Sequence, residues 1–277
     1  MDVPSPSGSE AWRFASGGER LPDHCLDCGT LLAGPYCGNC GQKNELEHRS
    51  LWQLVKDAVG PAVLLEGKLW RTLGTLLLRP GALSEAYTEG KRSRYIRPLR
   101  LYLWVSVLFF GALALRPTQA VKVELDKEDE IHLPYAPLLE RKLKAKMEAL
   151  SSTESARERF GREFVGLLPK AAFFLVPFSA LLLGLFWWKR AYVEHLVLAL
   201  HGHTVLFLGF GVALVPLAPF HAVGIVAPLV WLPFAFRRFY RSRWWVTLLK
   251  AVPLAMLYLL LVSAASLGAL FATILKD

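Results

Sequence analysis

The chain reads as a mainly α, polytopic helical membrane protein, with a small cysteine-rich module ahead of about five transmembrane helices. Three observations predict this. Of the 277 residues, 53% are hydrophobic and only 20% charged, a balance that excludes a disordered protein or a nucleic-acid-binding tail. Five later stretches approach the roughly 20 apolar residues that a bilayer crossing needs. All four cysteines fall between positions 25 and 40, as two CxxC pairs, which leaves none for distant disulfides.

Residues 1–22 are polar and rich in Ser, Pro and Gly. They hold no apolar h-region, so they predict a disordered tail and no signal peptide. Residues 23–44 form the module. From His24 to Gln42 the run is HCLDCGTLLAGPYCGNCGQ, with Cys25-x2-Cys28 and Cys37-x2-Cys40 separated by eight residues. Four thiolates at this spacing are the ligand set of tetrahedral structural zinc, so one Zn2+ held by Cys25, Cys28, Cys37 and Cys40 is expected in a zinc ribbon. Gly29 and Gly41 follow the pairs, where glycine lets the chain turn tightly beneath the metal. A redox CxxC would want a βαβ context that is missing, and an iron–sulfur cluster is the weaker use of four thiolates. An ion enclosed by four sulfurs has no open position for water, so it is read as structural or as a docking element. His24 is surplus to the ligand set and is read as surface.

Residues 50–98 predict amphipathic helices on the cytoplasmic leaflet. Leu51, Leu54, Val55, Leu65, Leu69, Leu73, Leu76 and Leu77 recur at helical spacing, and Gly60-Pro61 divides them into two segments. Trp52 and Trp70 suit an interface, while Lys56, Glu66, Lys68 and Arg71 oppose deep insertion. A helical pair packed on the membrane domain fits the same pattern.

The transmembrane domain is expected over 99–277. Its spans are placed at Leu99–Leu115, Lys170–Trp188, Leu196–Pro216, Ala218–Phe236 and Val246–Leu270, the first being short. Cations set the orientation. Lys91, Arg92, Arg94, Arg97 and Arg100 precede the first span, Lys189 and Arg190 follow the second, and Arg237, Arg238, Arg241 and Arg243 follow the fourth. Residues 170–277 hold nine Lys/Arg against two Asp/Glu. Every strongly basic connection therefore falls on one side, giving a cytoplasmic N-terminus and an outer C-terminus. Trp187, Trp188, Tyr192, Tyr240, Trp244 and Trp245 flank the same corners, as aromatic rings do at headgroup depth. The cations hug membrane boundaries, which disfavours a nucleic-acid partner. The intervening 116–169 is charge-balanced and is read as an extracytoplasmic helical loop, with a charged helix over Leu138–Leu150. Ser151-x-x-Glu154 offers a capping box for a second helix that runs towards the next span.

From Thr75 to Pro98 the chain reads T-x3-RPG-x5-Y-x2-GKR-x2-Y-x2-P. With the ribbon, this run resembles a family of bacterial inner-membrane proteins of unknown function that carry a CxxC…CxxCGQ ribbon and then an RPG…GKR…P segment. The resemblance extends to Glu194-His195 and His201-x-His203. It implies a multi-pass protein of the bacterial inner membrane and supplies no catalytic residues. Lys91, Arg92 and Arg94 could meet anionic lipid headgroups, although positive-inside topology and a tight turn explain them better.

The third span opens with Glu194-His195 and contains His201 and His203. Ionisable groups at membrane depth are candidates for function. On one helix His201 and His203 diverge by about 200°, and no pair among these residues has i, i+3 or i, i+4 spacing. They read either as hydrogen-bonding links between helices or as part of a metal or proton-transfer site completed by other spans. Two functions follow: a scaffold or adaptor, anchored in the bilayer, whose ribbon docks a cytoplasmic protein partner, or a transporter or metal-dependent enzyme using Glu194, His195, His201 and His203. Without a coherent catalytic set, the balance leans against an enzyme.

Overall fold

The computed structural model describes residues 21–44, 66–115, 141, 144 and 154–275. The Leu51–Leu65 half of the amphipathic segment, most of the 116–169 loop and Ser151 lie outside these residues. Seven helices are found among them: α1 Glu66–Leu78, α2 Ala82–Thr88, α3 Pro98–Ala114, α4 Glu154–Phe186, α5 Tyr192–Ala213, α6 Ala218–Tyr240 and α7 Trp244–Leu275. Four are long and apolar enough to cross a membrane, over Arg159–Phe186, Tyr192–Ala213, Ala218–Tyr240 and Trp244–Ile274. The fifth expected span is α3, whose 17 residues give about 25 Å of helix at 1.5 Å per residue.

Local chemistry sets the boundaries. Pro98 opens α3 with its fixed φ and no N–H to waste, and α6, which begins at Ala218 after the Leu214–Leu217 corner, carries Pro219 as its second residue. At its far end α6 closes on Arg241 in the left-handed conformation, φ 51°, with the Ser242 N–H donating to the Arg237 carbonyl at 3.2 Å. The helix expected to run towards the second span is continuous with it in α4, which starts at Glu154 and passes through Pro169 and Pro177 unbroken.

Helix α5 is the axis of the bundle. Of its membrane window 56% is buried, against 11% for α7, and it packs on α3, α4 and α6. Leu198, Leu200 and Val205 meet Leu101, Tyr102, Val176, Ala180, Leu183, Ala235 and Phe239 in one continuous core. Helices α5 and α6 touch backbone to backbone at Gly209 and Gly224, where an added Cβ would land on the opposite chain. Outward, Leu248, Leu249, Val252, Met256, Leu259 and Leu260 of α7 stay exposed, an apolar face of the kind that hydrocarbon covers.

Helices α1 and α2 fill the flank of this bundle. Trp231 Nε1 donates to the Leu76 carbonyl at 2.8 Å, and Gly81 lies against Ala235 so closely that a Cβ would stand 2.7 Å from its oxygen. The φ of Gly81 is +77°, so glycine serves both the turn and the contact. Leu76 is buried, whereas Trp70 and Leu78 face outward. The segment is thus wedged between α5 and α6 with one apolar face still free.

Candidate functional site

The four-cysteine module is built by near-repetition at an offset of twelve residues. Isolated bridges pair His24 with Leu31 and Tyr36 with Lys43. In the first half the Cys25 N–H donates to Thr30 O at 2.9 Å, and the Gly29 N–H donates to Cys25 O at 2.8 Å. In the second, Cys37 N–H donates to Gln42 O at 2.8 Å and Gly41 N–H to Cys37 O at 2.9 Å. Gly29 and Gly41 have φ of +75° and +73°, as the tight turn beneath each pair requires. His24 is exposed.

These two turns bring the sulfurs together. All four Sγ atoms lie within 4.8 Å of one another, with Cys25–Cys40 and Cys28–Cys37 each at 3.5 Å, and none is in a disulfide. A tetrahedral ion with metal–sulfur bonds of about 2.3 Å needs sulfurs about 3.8 Å apart, so the donor set fits a metal ion. The sulfurs differ in environment. A hydrogen bond with the Thr30 hydroxyl lowers the Cys28 thiol to about 6, while burial pushes Cys25 up to about 12. Among the described residues this is the one group of three or more His, Cys, Asp or Glu side chains whose ligand atoms converge.

The module is fastened to the membrane domain through residues that sequence reasoning missed. Gln42 Nε2 donates to Gly90 O at 2.8 Å, and its Oε1 accepts from the N–H groups of Arg92 and Ser93, each at 3.2 Å. Asp27, buried, accepts from Ser93 Oγ and, at 2.8 Å, from Arg94 Nε. The Gly90–Arg94 loop is therefore the platform on which the module sits. Of the residues considered for headgroup contact, Arg94 is held by Asp27, Lys91 pairs with Glu89 at 2.8 Å, and Arg92 lies 5.1 Å over the Tyr87 ring. The CxxCGQ run itself carried the signal for Gln42. Asp27 had none beyond its place inside the first pair.

The α5 residues are buried but not gathered. His195 Nδ1 lies 2.7 Å from the Tyr240 hydroxyl of α6, and His201 Nδ1 lies 2.8 Å from Ser84 Oγ of α2. His203 Nδ1 donates to the Ala199 carbonyl at 2.8 Å, so in the neutral ring Nε2 accepts from Tyr258 of α7 at 3.0 Å. Glu194 takes Arg190 one turn away at 2.9 Å, and that guanidinium lies 4.6 Å over Phe239. Each histidine thus bonds a hydroxyl from a different helix, which agrees with their divergent directions on α5. His221, near the opposite end, is exposed.

A family described as "Protein of unknown function (DUF3667)" matches residues 66–110. The similarity therefore covers α1, α2 and most of α3, including the Arg79–Gly81 and Gly90–Arg92 runs, and leaves the four cysteines outside. No curated protein and no solved structure matches the chain.

Proposed function

We propose that the protein is a multi-pass scaffold of the bacterial inner membrane whose cytoplasmic zinc ribbon docks a protein partner. The observation that carries this reading is the closed four-sulfur cluster on a module clamped to the Gly90–Arg94 loop. Four sulfurs around one zinc leave no position for a reacting water, and the clamp holds the ribbon at a fixed place on the bundle. The basic corners at Lys189–Arg190 and Arg237–Arg243 support a cytoplasmic setting for this end, where thiols stay reduced. Leu31 and Tyr36 remain exposed on the ribbon and are apolar enough for a partner.

Metal content of the purified full chain tests the reading. One zinc per chain is expected, lost when Cys25, Cys28, Cys37 and Cys40 become Ser and kept in His201→Ala/His203→Ala. Substrate turnover, or solute flux through proteoliposomes, would overturn it.

A second reading, an intramembrane transporter or metal-dependent enzyme working through Glu194, His195, His201 and His203, is favoured by one observation. The Nε2 atoms of His195 and His201 are buried with no hydrogen-bond partner among the described residues, and such atoms usually have one. It predicts a second metal, or a transport activity, that disappears with His201→Ala and survives the serine changes.

A further inference from the structure

At the end of the bundle that carries the module, the last turn of α6, the corner into α7 and the turn between α1 and α2 border an open cavity of about 560 Å³. It is lined by Pro80, Phe234, Arg237, Arg238, Arg241 and Ser242. Half of that lining is guanidinium and the uncharged remainder includes an exposed phenyl ring.

The arginines are aimed by groups around the cavity. Glu85 accepts from Arg238 Nε at 3.1 Å and from Arg241 Nη2 at 3.2 Å, and Glu89 lies 3.7 Å from Arg241. Burial alone would raise the Glu85 carboxyl, but the two guanidiniums hold it below its usual range. It is a fixed anion that aligns two forks and uses few of their donors. Arg237 makes no ion pair among the described residues and lies 4.8 Å over the Trp244 ring, which fixes its plane.

Neutralising a helix end does not account for three cations. The C-terminus of α6 carries about half a negative charge, and the N-terminus of α7 beside it carries about half a positive one, so the two nearly cancel. The setting is interfacial: Trp244 and Trp245 are exposed here, as at headgroup depth. Beside them Phe234, Val230 and Leu78 offer apolar surface.

We propose that this cavity binds the phosphate of an anionic phospholipid, with Arg237 and Arg241 on the phosphate oxygens and Phe234 and Pro80 against the adjoining methylenes. Guanidinium forks match phosphate oxygens bidentately. The phosphate group is the shared chemistry with a soluble phosphate, and the apolar floor favours the lipid. The Gly90–Arg94 loop is the poorer site: Lys91 and Arg94 both meet carboxylates there, as Arg241 does here, but the cavity adds Arg237, which meets none among the described residues, and the exposed Phe234 ring.

The test uses the full chain in nanodiscs of phosphatidylcholine alone or mixed with phosphatidylglycerol, released into neutral detergent and weighed by native mass spectrometry. Phosphatidylglycerol should stay bound to the wild type in preference to phosphatidylcholine. Arg237→Gln/Arg241→Gln should weaken retention at least about tenfold, the loss expected of charge-assisted contacts. Lys at both positions should restore part of it, and Lys91→Gln should behave as wild type. Should the glutamine pair unfold the chain, Arg237→Gln alone, which breaks no ion pair, carries the same test. Equal retention by wild type and the glutamine variants would overturn the proposal. Calorimetric binding of inorganic phosphate at these arginines, without preference between the two lipids, would overturn the lipid assignment in favour of a soluble phosphate.

Discussion

Thr30 stands one hydrogen bond away from the sulfur cluster. Asn39 Nδ2 donates to its oxygen at 3.2 Å, and Cys28 Sγ lies 3.3 Å from the same oxygen, donating to it as a thiol and accepting the hydroxyl hydrogen once it is a thiolate. That bond is the main reason the Cys28 thiol ionises near 6, and only a thiolate ligates. Thr30→Val should therefore weaken metal binding about tenfold at neutral pH, a usual effect of groups just outside the ligands, and Thr30→Ser should not. Competition against a chromogenic chelator measures this. Protons compete for sulfur, so affinity should fall with falling pH, and the fall should begin at higher pH in the valine variant, whose Cys28 holds its proton more tightly. Equal profiles for valine and wild type would separate the hydroxyl from the metal. Ser84 is a second single-atom link, since its Oγ is the one partner of the buried His201 ring among the described residues. Ser84→Ala should cost about 1–3 kcal/mol, the penalty of orphaning a buried polar group. An unchanged midpoint of thermal unfolding in detergent would mean that the ring finds another partner.

The α1–turn–α2 hairpin shows how an element whose helical spacing is visible in the sequence is held by contacts that no periodicity announces. Gly81 and Gly90 have similar φ, +77° and +84°, so alanine strains the backbone by about 1–2 kcal/mol at either place. Their surroundings differ: a Cβ at Gly81 meets the Ala235 carbonyl at 2.7 Å, whereas at Gly90 it meets the end of the Leu26 side chain at 2.9 Å. Backbone inside a packed bundle cannot yield and an exposed leucine can. Gly81→Ala should thus be the more destabilising by about 1–3 kcal/mol, read from paired unfolding curves. Equal losses would mean that α6 moves aside freely. The fold was legible where a signal is local. The apolar runs located the ends of α3, α5, α6 and α7 to within about five residues, and the CxxC spacing located the sulfur cluster. The start of α4 was legible from the Ser151-x-x-Glu154 run rather than from hydropathy, which marks where the membrane is and not where the helical hydrogen bonds begin. The joints were not legible at all. Asp27 and Arg94 are 67 positions apart, Ser84 and His201 117, and pairs so distant leave no period in the sequence.

At the scale of the whole molecule the open quantity is the number of crossings, and α3 decides it. Helices α4 to α7 satisfy length and hydropathy, while the 17 residues of α3 fall a few ångströms short of the roughly 30 Å of hydrocarbon. Ring contacts give its direction. Tyr102 meets His203 and Phe207, and one helical stretch later Phe109 meets Phe207 and Phe210. Positions rise together on both helices, so α3 runs parallel to α5 and the two finish at the same face. Its shortness lies at the start, where Tyr102, four residues into α3, is level with the middle of α5. The α2 helix occupies the missing depth there, with Ser84 on His201 and Tyr87 against Val197. Non-helical chain at that depth is tolerable because it is covered by protein. Five crossings of the bilayer are therefore expected, with the sulfur module and the end of α7 on opposite sides. With the basic corners in the cytoplasm, a tag after Asp277 should be cleaved by protease added to intact spheroplasts, and a tag ahead of Pro22 only after permeabilisation. Cleavage of both tags from the same side would mean that α3 turns back within the membrane and that four helices cross.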